Sequence, residues 1–159
     1  MSVVVLKGDL LKSDCNVIAH QCNCQSTMGS GIAKQIRDRY PQVYDVDRLS
    51  PMKPREKLGK LTHIAVPEAC AIGYSRQVYN LYGQFNYGMR GKVHTSYDAL
   101  YSSLVMMFNM VSQYPRGSVK VGLPYGMGCV RGGGDWNRVT RLLEDISAQY
   151  AIDINLYKL

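Results

Sequence analysis

Apolar residues along the 159-residue chain follow two rhythms. Short aliphatic or β-branched runs bounded by turn residues predict strands: VVVLKG (Val3 to Gly8), NVIAH (Asn16 to His20), LTHIAVPE, RQVYNLYG, SVKVGLP and DINLYKL. Between them the period lengthens to that of a helix. In GIAKQIRDRY, Ile32, Ile36 and Tyr40 recur every fourth residue, with Lys34, Arg37 and Arg39 off the stripe, and Pro41 is expected to end the helix. Tyr97, Leu100, Tyr101, Leu104, Phe108 and Val111 share one face of a longer helix, and Thr95 with Asp98 has the spacing of a capping box at its start. The methionine-rich VMMFNM lies mostly on that helix and reads as core filling. Trp136, Val139, Leu143, Ile146 and Tyr150 mark a last helix. Strands alternating with helices predict α/β layers around a largely parallel sheet. With neither an internal repeat nor a linker, residues 1–159 are expected to form one domain.

Composition narrows the functional classes. Apolar residues make up 46% of the chain and no tract is of low complexity, which argues against disorder. No apolar run reaches membrane-spanning length, and MSVVVLKGDL is too short for a signal peptide, so no membrane partner is expected. The five cysteines are odd in number and follow no framework spacing, which points to free thiols in a reducing cytoplasm. Lysine and arginine outnumber acids by 19 to 12, a surplus that favours nucleic acids, nucleotides or phosphorylated small molecules. The densest basic run, KPREKLGK (Lys53 to Lys60), is broken by an acid and reads as a solvated segment rather than a nucleic-acid arm. No aromatic stacking pattern interleaved with basic residues supports an RNA-binding domain. No helix shows a second apolar stripe, so a monomer is expected.

In such sheets ligands bind where loops leave the carboxyl ends of strands. Two glycine-rich loops qualify, and both lead into helices: HQCNCQSTMGSGIAKQI (His20 to Ile36) and Tyr125 to Gly134. Gly29-Ser30-Gly31 opens a helix, where free N–H groups and the helix dipole attract an anion. Gly126, Gly128, Gly132, Gly133 and Gly134 precede another, and the pair suggests two walls around one extended anion such as a pyrophosphate. His20, Cys22 and Cys24 would share one strand face, but no CxxC pair or second knuckle accompanies them. The cysteines read as buried fillers, and neither a metal nor a cofactor is expected. His20 has two readings: an acid, base or nucleophile, or a hydrogen-bonded ring inside the sheet.

GDLLKSDCNVIAHQCNCQSTMGSGIAKQI resembles the start of a macro domain, the ADP-ribose-binding module. Gly8-Asp9-Leu10 matches the family's turn, Asn23 its asparagine, and Gly29-Ser30-Gly31 its triple glycine with one serine replacement. LPYGMGCVRGGGDW is similar to the second phosphate loop and INLYKL to the final strand, while Gln42 to Arg76 matches weakly. The resemblance implies a three-layer α/β/α fold with a mixed, largely parallel central sheet. It further implies that Asp9 accepts from the adenine amino group, though a turn or cap role would explain it equally. Leu10, Ile32 and Tyr157 would line the adenine end. Main-chain N–H groups of Gly29, Ser30, Gly31 and Ile32, and of Gly126, Met127, Gly128, Cys129, Val130, Arg131 and Gly132, would hold the pyrophosphate. Asn23 would fix the distal ribose, or tie loops together.

Within the family the wording is closest to the ADP-ribose-1″-phosphate phosphatase branch, which has a histidine where His20 stands. The implied activity is hydrolysis of that phosphate to give ADP-ribose and phosphate, with His20 and Asn23 catalytic. Two alternatives stay open: a reader of ADP-ribose without turnover, and a hydrolase that removes ADP-ribose from modified protein or nucleic acid. Hydrolases of the second kind use a lysine and an aspartate, whose places fall near Gln84 and Gly132 here. Partners implied are ADP-ribose or a derivative and ADP-ribosylated macromolecules.

Overall fold

A computed structural model describes residues 2–88 and 92–159. Among these, β1 (Val3–Lys7), β2 (Val17–Asn23), β3 (Leu61–Pro67), β4 (Ser75–Gln84), β5 (Val121–Pro124) and β6 (Ile154–Lys158) form one sheet in the order β1-β6-β5-β2-β4-β3. Five strands run parallel, and β3 pairs antiparallel with β4 at one edge. The helices are α1 (Gly31–Arg39), α2 (Pro41–Arg48), α3 (Pro54–Lys57), α4 (Tyr97–Val111) and α5 (Trp136–Tyr150).

Alternation along the strands divides the core into two layers. Val17 and Ala19 of β2, with Tyr79 and Leu81 of β4, face Leu100, Leu104, Met107 and Phe108 of α4 and Val139, Leu143 and Ile146 of α5. Ile18 and Cys22, with Val78 and Tyr82, face Ile36 of α1, Tyr40, and Val43 of α2. The expected α/β/α layering and mixed, largely parallel sheet are thus observed.

Details differ from the sequence reading. Pro41 does not simply end a helix. Tyr40 closes α1, and Pro41 is the first residue of α2, where its missing N–H costs nothing. β2 runs on to Asn23 because it stays paired with β4, across a register shift between Gln21 and Asn23. Ser96 rather than Thr95 caps α4, accepting from Ala99 N at 3.2 Å. Thr95 points instead into the loop after β5, where Oγ1 donates to Gly128 O at 2.6 Å. Tyr101 leaves the buried face of α4 and is exposed.

Candidate functional site

Because five strands point the same way, the segments leaving their carboxyl ends collect on one rim of the sheet. They enclose a cleft of about 790 Å³. Gly8, Asp9 and Leu10 after β1, with Tyr157 and Lys158 of β6 and Leu159 after it, wall one end. The two glycine loops stand in the middle, and Gln84, Tyr87, Gly88, Lys92 and Val93 close the other end. Strands about 4.8 Å apart make this a trough roughly 19 Å long across five strands. Its described lining carries Lys92, Arg131 and Lys158 against one carboxylate, Asp9, so the trough suits an anion.

The first loop is held by Asn23. Its Oδ1 accepts from Gln25 N at 2.9 Å and Thr27 N at 3.4 Å, and its Nδ2 donates to Thr27 O at 3.0 Å. Asn23 thus staples the turn while lining the cleft. Ser30 stands at the N-cap of α1 without a side-chain capping bond, which leaves the first helical N–H groups at the cleft wall unclaimed. Gly31 adopts φ +59°, and a Cβ there would lie 3.0 Å from Arg131 Nε. The Arg131 side chain of the second loop therefore lies across the opening of α1.

The second loop is stitched down from behind. Gly132 O accepts from His94 N at 2.7 Å and Thr95 N at 3.0 Å, and Gly128 O accepts from Gly134 N at 3.0 Å as well as from Thr95. With these carbonyls turned inward, the N–H groups of Gly126, Gly128, Val130, Arg131 and Gly132 have no partner among the described residues. Asp9 Oδ1 accepts from Leu11 N at 2.9 Å, so the turn-capping role holds at the cleft edge.

The far floor is an amide network that the sequence did not reveal. Gln21 Nε2 donates to Gln84 Oε1 and to Thr95 Oγ1, each at 2.8 Å, and Gln21 Oε1 is buried with no partner among the described residues. These groups fill the space an aspartate at position 132 would need. A Cβ on Gly132 would stand 2.3 Å from Thr95 Oγ1 and 3.0 Å from Gln21 Nε2.

Three expected site residues do not reach the cleft. Gly29 and Cys129 lie outside its lining, although their neighbours are in it. His20 faces the α1 and α2 layer, fully buried. Asn80 Nδ2 donates to Val43 O and Thr62 Oγ1, both at 3.1 Å, so Asn80 Oδ1 faces the ring and accepts from His20 Nε2 at 2.7 Å. Burial pushes the imidazole down to about 4 despite that hydrogen bond. A neutral ring sealed in the core touches no substrate, so the catalytic expectation for His20 is corrected to the structural one. Nor do His20, Cys22 and Cys24 converge: the Cys22 thiol lies 3.3 Å from His20 Nε2, whereas the Cys24 thiol donates to Gln84 O at 3.3 Å. Burial raises the Cys22 thiol well above its usual range, which disfavours the thiolate.

The polar chain continues beyond His20. From Asn80 it passes through Thr62 to Tyr82 (2.8 Å), whose hydroxyl donates to Asp47 Oδ1 at 2.6 Å. Lys57 Nζ meets the same carboxylate oxygen at 2.9 Å and Ser26 Oγ at 2.9 Å, with Asp47 and Lys57 both buried. Ser26 belongs to the turn after Asn23, so a buried ion pair underpins the first loop.

No family model matches the chain. It is 29% identical over 156 residues, 97% of its own length and 96% of the relative's, to an uncharacterized 17.5 kDa protein of Enterobacteria phage T4. It is 47% identical over 45 residues to an ADP-ribose 1″-phosphate phosphatase of Scheffersomyces stipitis, spanning 24% of this chain and 26% of that protein. It is also 33% identical over 54 residues, 34% of this chain and 15% of the relative, to a DNA ADP-ribosyl glycohydrolase of Mycobacterium bovis. Among solved structures, the macrodomain of Mycobacterium tuberculosis DarG superposes with a TM-score of 0.74 at 21% identity, over 99% of this chain and 97% of that one. Thermosipho africanus DarTG in complex with ADP-ribose does so with a TM-score of 0.74 at 17% identity, over 97% and 41%. The chain has the macrodomain fold.

Proposed function

We propose that the trough binds ADP-ribose, or a derivative extended at its distal ribose, along its whole length. The observation that carries this reading is the pair of glycine loops facing each other at mid-trough, with unpaired N–H groups and Arg131 reaching across to Gly31. That arrangement fits a pyrophosphate. Asp9 stands at one end as an acceptor for the adenine amino group, beside Leu10, Ile32 and Tyr157. Asn23 stands towards the distal ribose. The Thermosipho protein, 41% of whose chain shares this fold, was solved in complex with ADP-ribose, which supports the reading. Calorimetry with ADP-ribose, AMP and ribose-5-phosphate tests it: ADP-ribose should bind at least about tenfold more tightly than either half. Equal affinity for AMP and ADP-ribose would overturn the two-loop cradle.

A second reading is hydrolysis of ADP-ribose-1″-phosphate to ADP-ribose and phosphate. It draws on the segment shared with the Scheffersomyces phosphatase and on the far end of the trough, whose described lining has Lys92 as its charge and no carboxylate. His20 takes no part. Orientation of water and phosphate would fall to the Asn23 and Gln84 amides, with Gln21 holding Gln84 in place. Removal of ADP-ribose through a lysine and an aspartate is disfavoured by Gln84 and by the filled space around Gly132. Phosphate release by the wild-type protein, lost in Gln21→Leu, would support hydrolysis; binding without release would leave a reader.

A further inference from the structure

Strand β6 reaches the rim between the turn that holds Asp9 and the second glycine loop. Gly8 N donates to Lys158 O at 2.9 Å on one side, and Tyr125 N donates to Tyr157 O at 3.0 Å on the other. Lys158 lines the cleft, and its Nζ lies 4.7 Å from the centre of the Tyr125 ring. Lys7, the last residue of β1, is its partner in register. Paired residues leave a sheet on the same face, so the two lysines rise side by side from strands about 4.8 Å apart. Both are exposed, and neither makes a salt bridge among the described residues. Asp9, the one carboxylate of the described lining, accepts from Leu11 N. Like charges set opposite one another destabilise a sheet. An edge lysine guards against strand addition. That accounts for Lys7 but not for Lys158, because β6 is an inner strand.

We propose that Lys158 and Lys7 bind a phosphate carried on the adenosine-side ribose, so that the cleft prefers ADP-ribose phosphorylated at that sugar. The proposal rests on the reading of the trough above. With adenine at Asp9 and the pyrophosphate at the glycine loops, the sugar that joins them lies over the end of β6. Its 2′ and 3′ hydroxyls are the positions open to a phosphate. A monoester there carries about two negative charges at neutral pH and three strong acceptor oxygens. Lysine answers it with a mobile point charge and three donors. The Tyr125 ring keeps the Lys158 ammonium at the cleft wall without neutralising it. An unsubstituted ribose offers hydroxyls alone and gives two adjacent cations no counter-charge. The pair is invisible in the linear sequence because its members stand near opposite ends of the chain and meet only in the sheet.

Calorimetry with ADP-ribose, and with its forms phosphorylated at the 2′ or the 3′ hydroxyl of the adenosine-side ribose, tests the pair. One phosphorylated form should bind about tenfold more tightly than ADP-ribose, with a gain that shrinks as salt rises. The gain is read as the ratio of the two affinities, and Lys158→Gln should abolish it. Lys7→Gln, outside the described lining, should reduce the gain and leave the affinity for ADP-ribose unchanged. Wild-type protein that gains nothing from either phosphate overturns the proposal, as does either glutamine variant that keeps the full gain. It is equally overturned if ADP-ribose-1″-phosphate shows the same gain, lost in the same variants, since that phosphate belongs to the other end of the trough. Should wild-type protein fail to bind ADP-ribose, the trough reading falls and the lysines are judged on adenosine 2′,5′- and 3′,5′-bisphosphate against AMP. Tighter binding of either bisphosphate, lost in Lys158→Gln, then upholds the pair, and no preference over AMP overturns it.

Discussion

A histidine on one face of β2 and a glutamine on the other show how strongly surroundings decide a side chain's chemistry. His20 is held at about 4, below its ordinary 6.5, chiefly by burial. Between those values the unfolded chain takes up a proton that the folded chain refuses. Stability should therefore fall as pH drops from about 6.5 towards 4, and this group should contribute no slope above that window. The full effect is roughly 3 kcal/mol. Urea unfolding across this range should show a slope that flattens in His20→Gln; an unchanged slope would assign it to other groups. Gly132 offers a second test at this scale. A methyl group there meets Thr95 Oγ1 at 2.3 Å and Gly128 O at 2.7 Å, so Gly132→Ala must displace the loop's stitching. It should destabilise the protein by about 1–3 kcal/mol and weaken ADP-ribose binding, both readable by calorimetry. His20 misled because a histidine beside an asparagine and two cysteines carries the same letters in a core as in an active site.

At the level of elements, the long helices and the strands were legible from periodicity alone. Two of the helices, α2 and α3, were not. Their buried positions include Asp47 and Lys57, which read as surface residues, yet the fold joins them in an ion pair beneath the first loop. Lys57→Met would strand the Asp47 carboxylate in the core and should cost about 3–5 kcal/mol. The double variant Asp47→Leu with Lys57→Met should recover much of that stability while leaving Ser26 without its lysine donor. Ligand affinity should stay depressed if the pair positions the turn after Asn23, and a double variant with wild-type affinity would limit the pair to stability. The cleft floor was hidden for a similar reason. Gln21 finds its partners at Gln84 and Thr95, far along the chain, and uncharged amides leave no mark in composition or period. The glycine loops and the Asp9 turn were visible because positive φ and tight approach restrict which residues serve there.

For the molecule as a whole, binding along a five-strand trough ties ligand to folding. ADP-ribose at about a hundredfold over its Kd should add about 2.7 kcal/mol, which for a chain of this size raises the unfolding midpoint by roughly 5–10 °C. A midpoint indifferent to ADP-ribose in differential scanning calorimetry would contradict the proposed function. The sheet order has a consequence of another kind. It leaves β1 at an edge, with β6 as its one strand partner among the described residues, and Val4 and Val5 are 36% and 55% exposed there. A bare hydrophobic edge is a template for sheet growth between molecules. Turbidity on heating should therefore begin from β1, and Val5→Lys should delay its onset in light scattering without altering affinity in the cleft, turning an adhesive margin into a gatekept one.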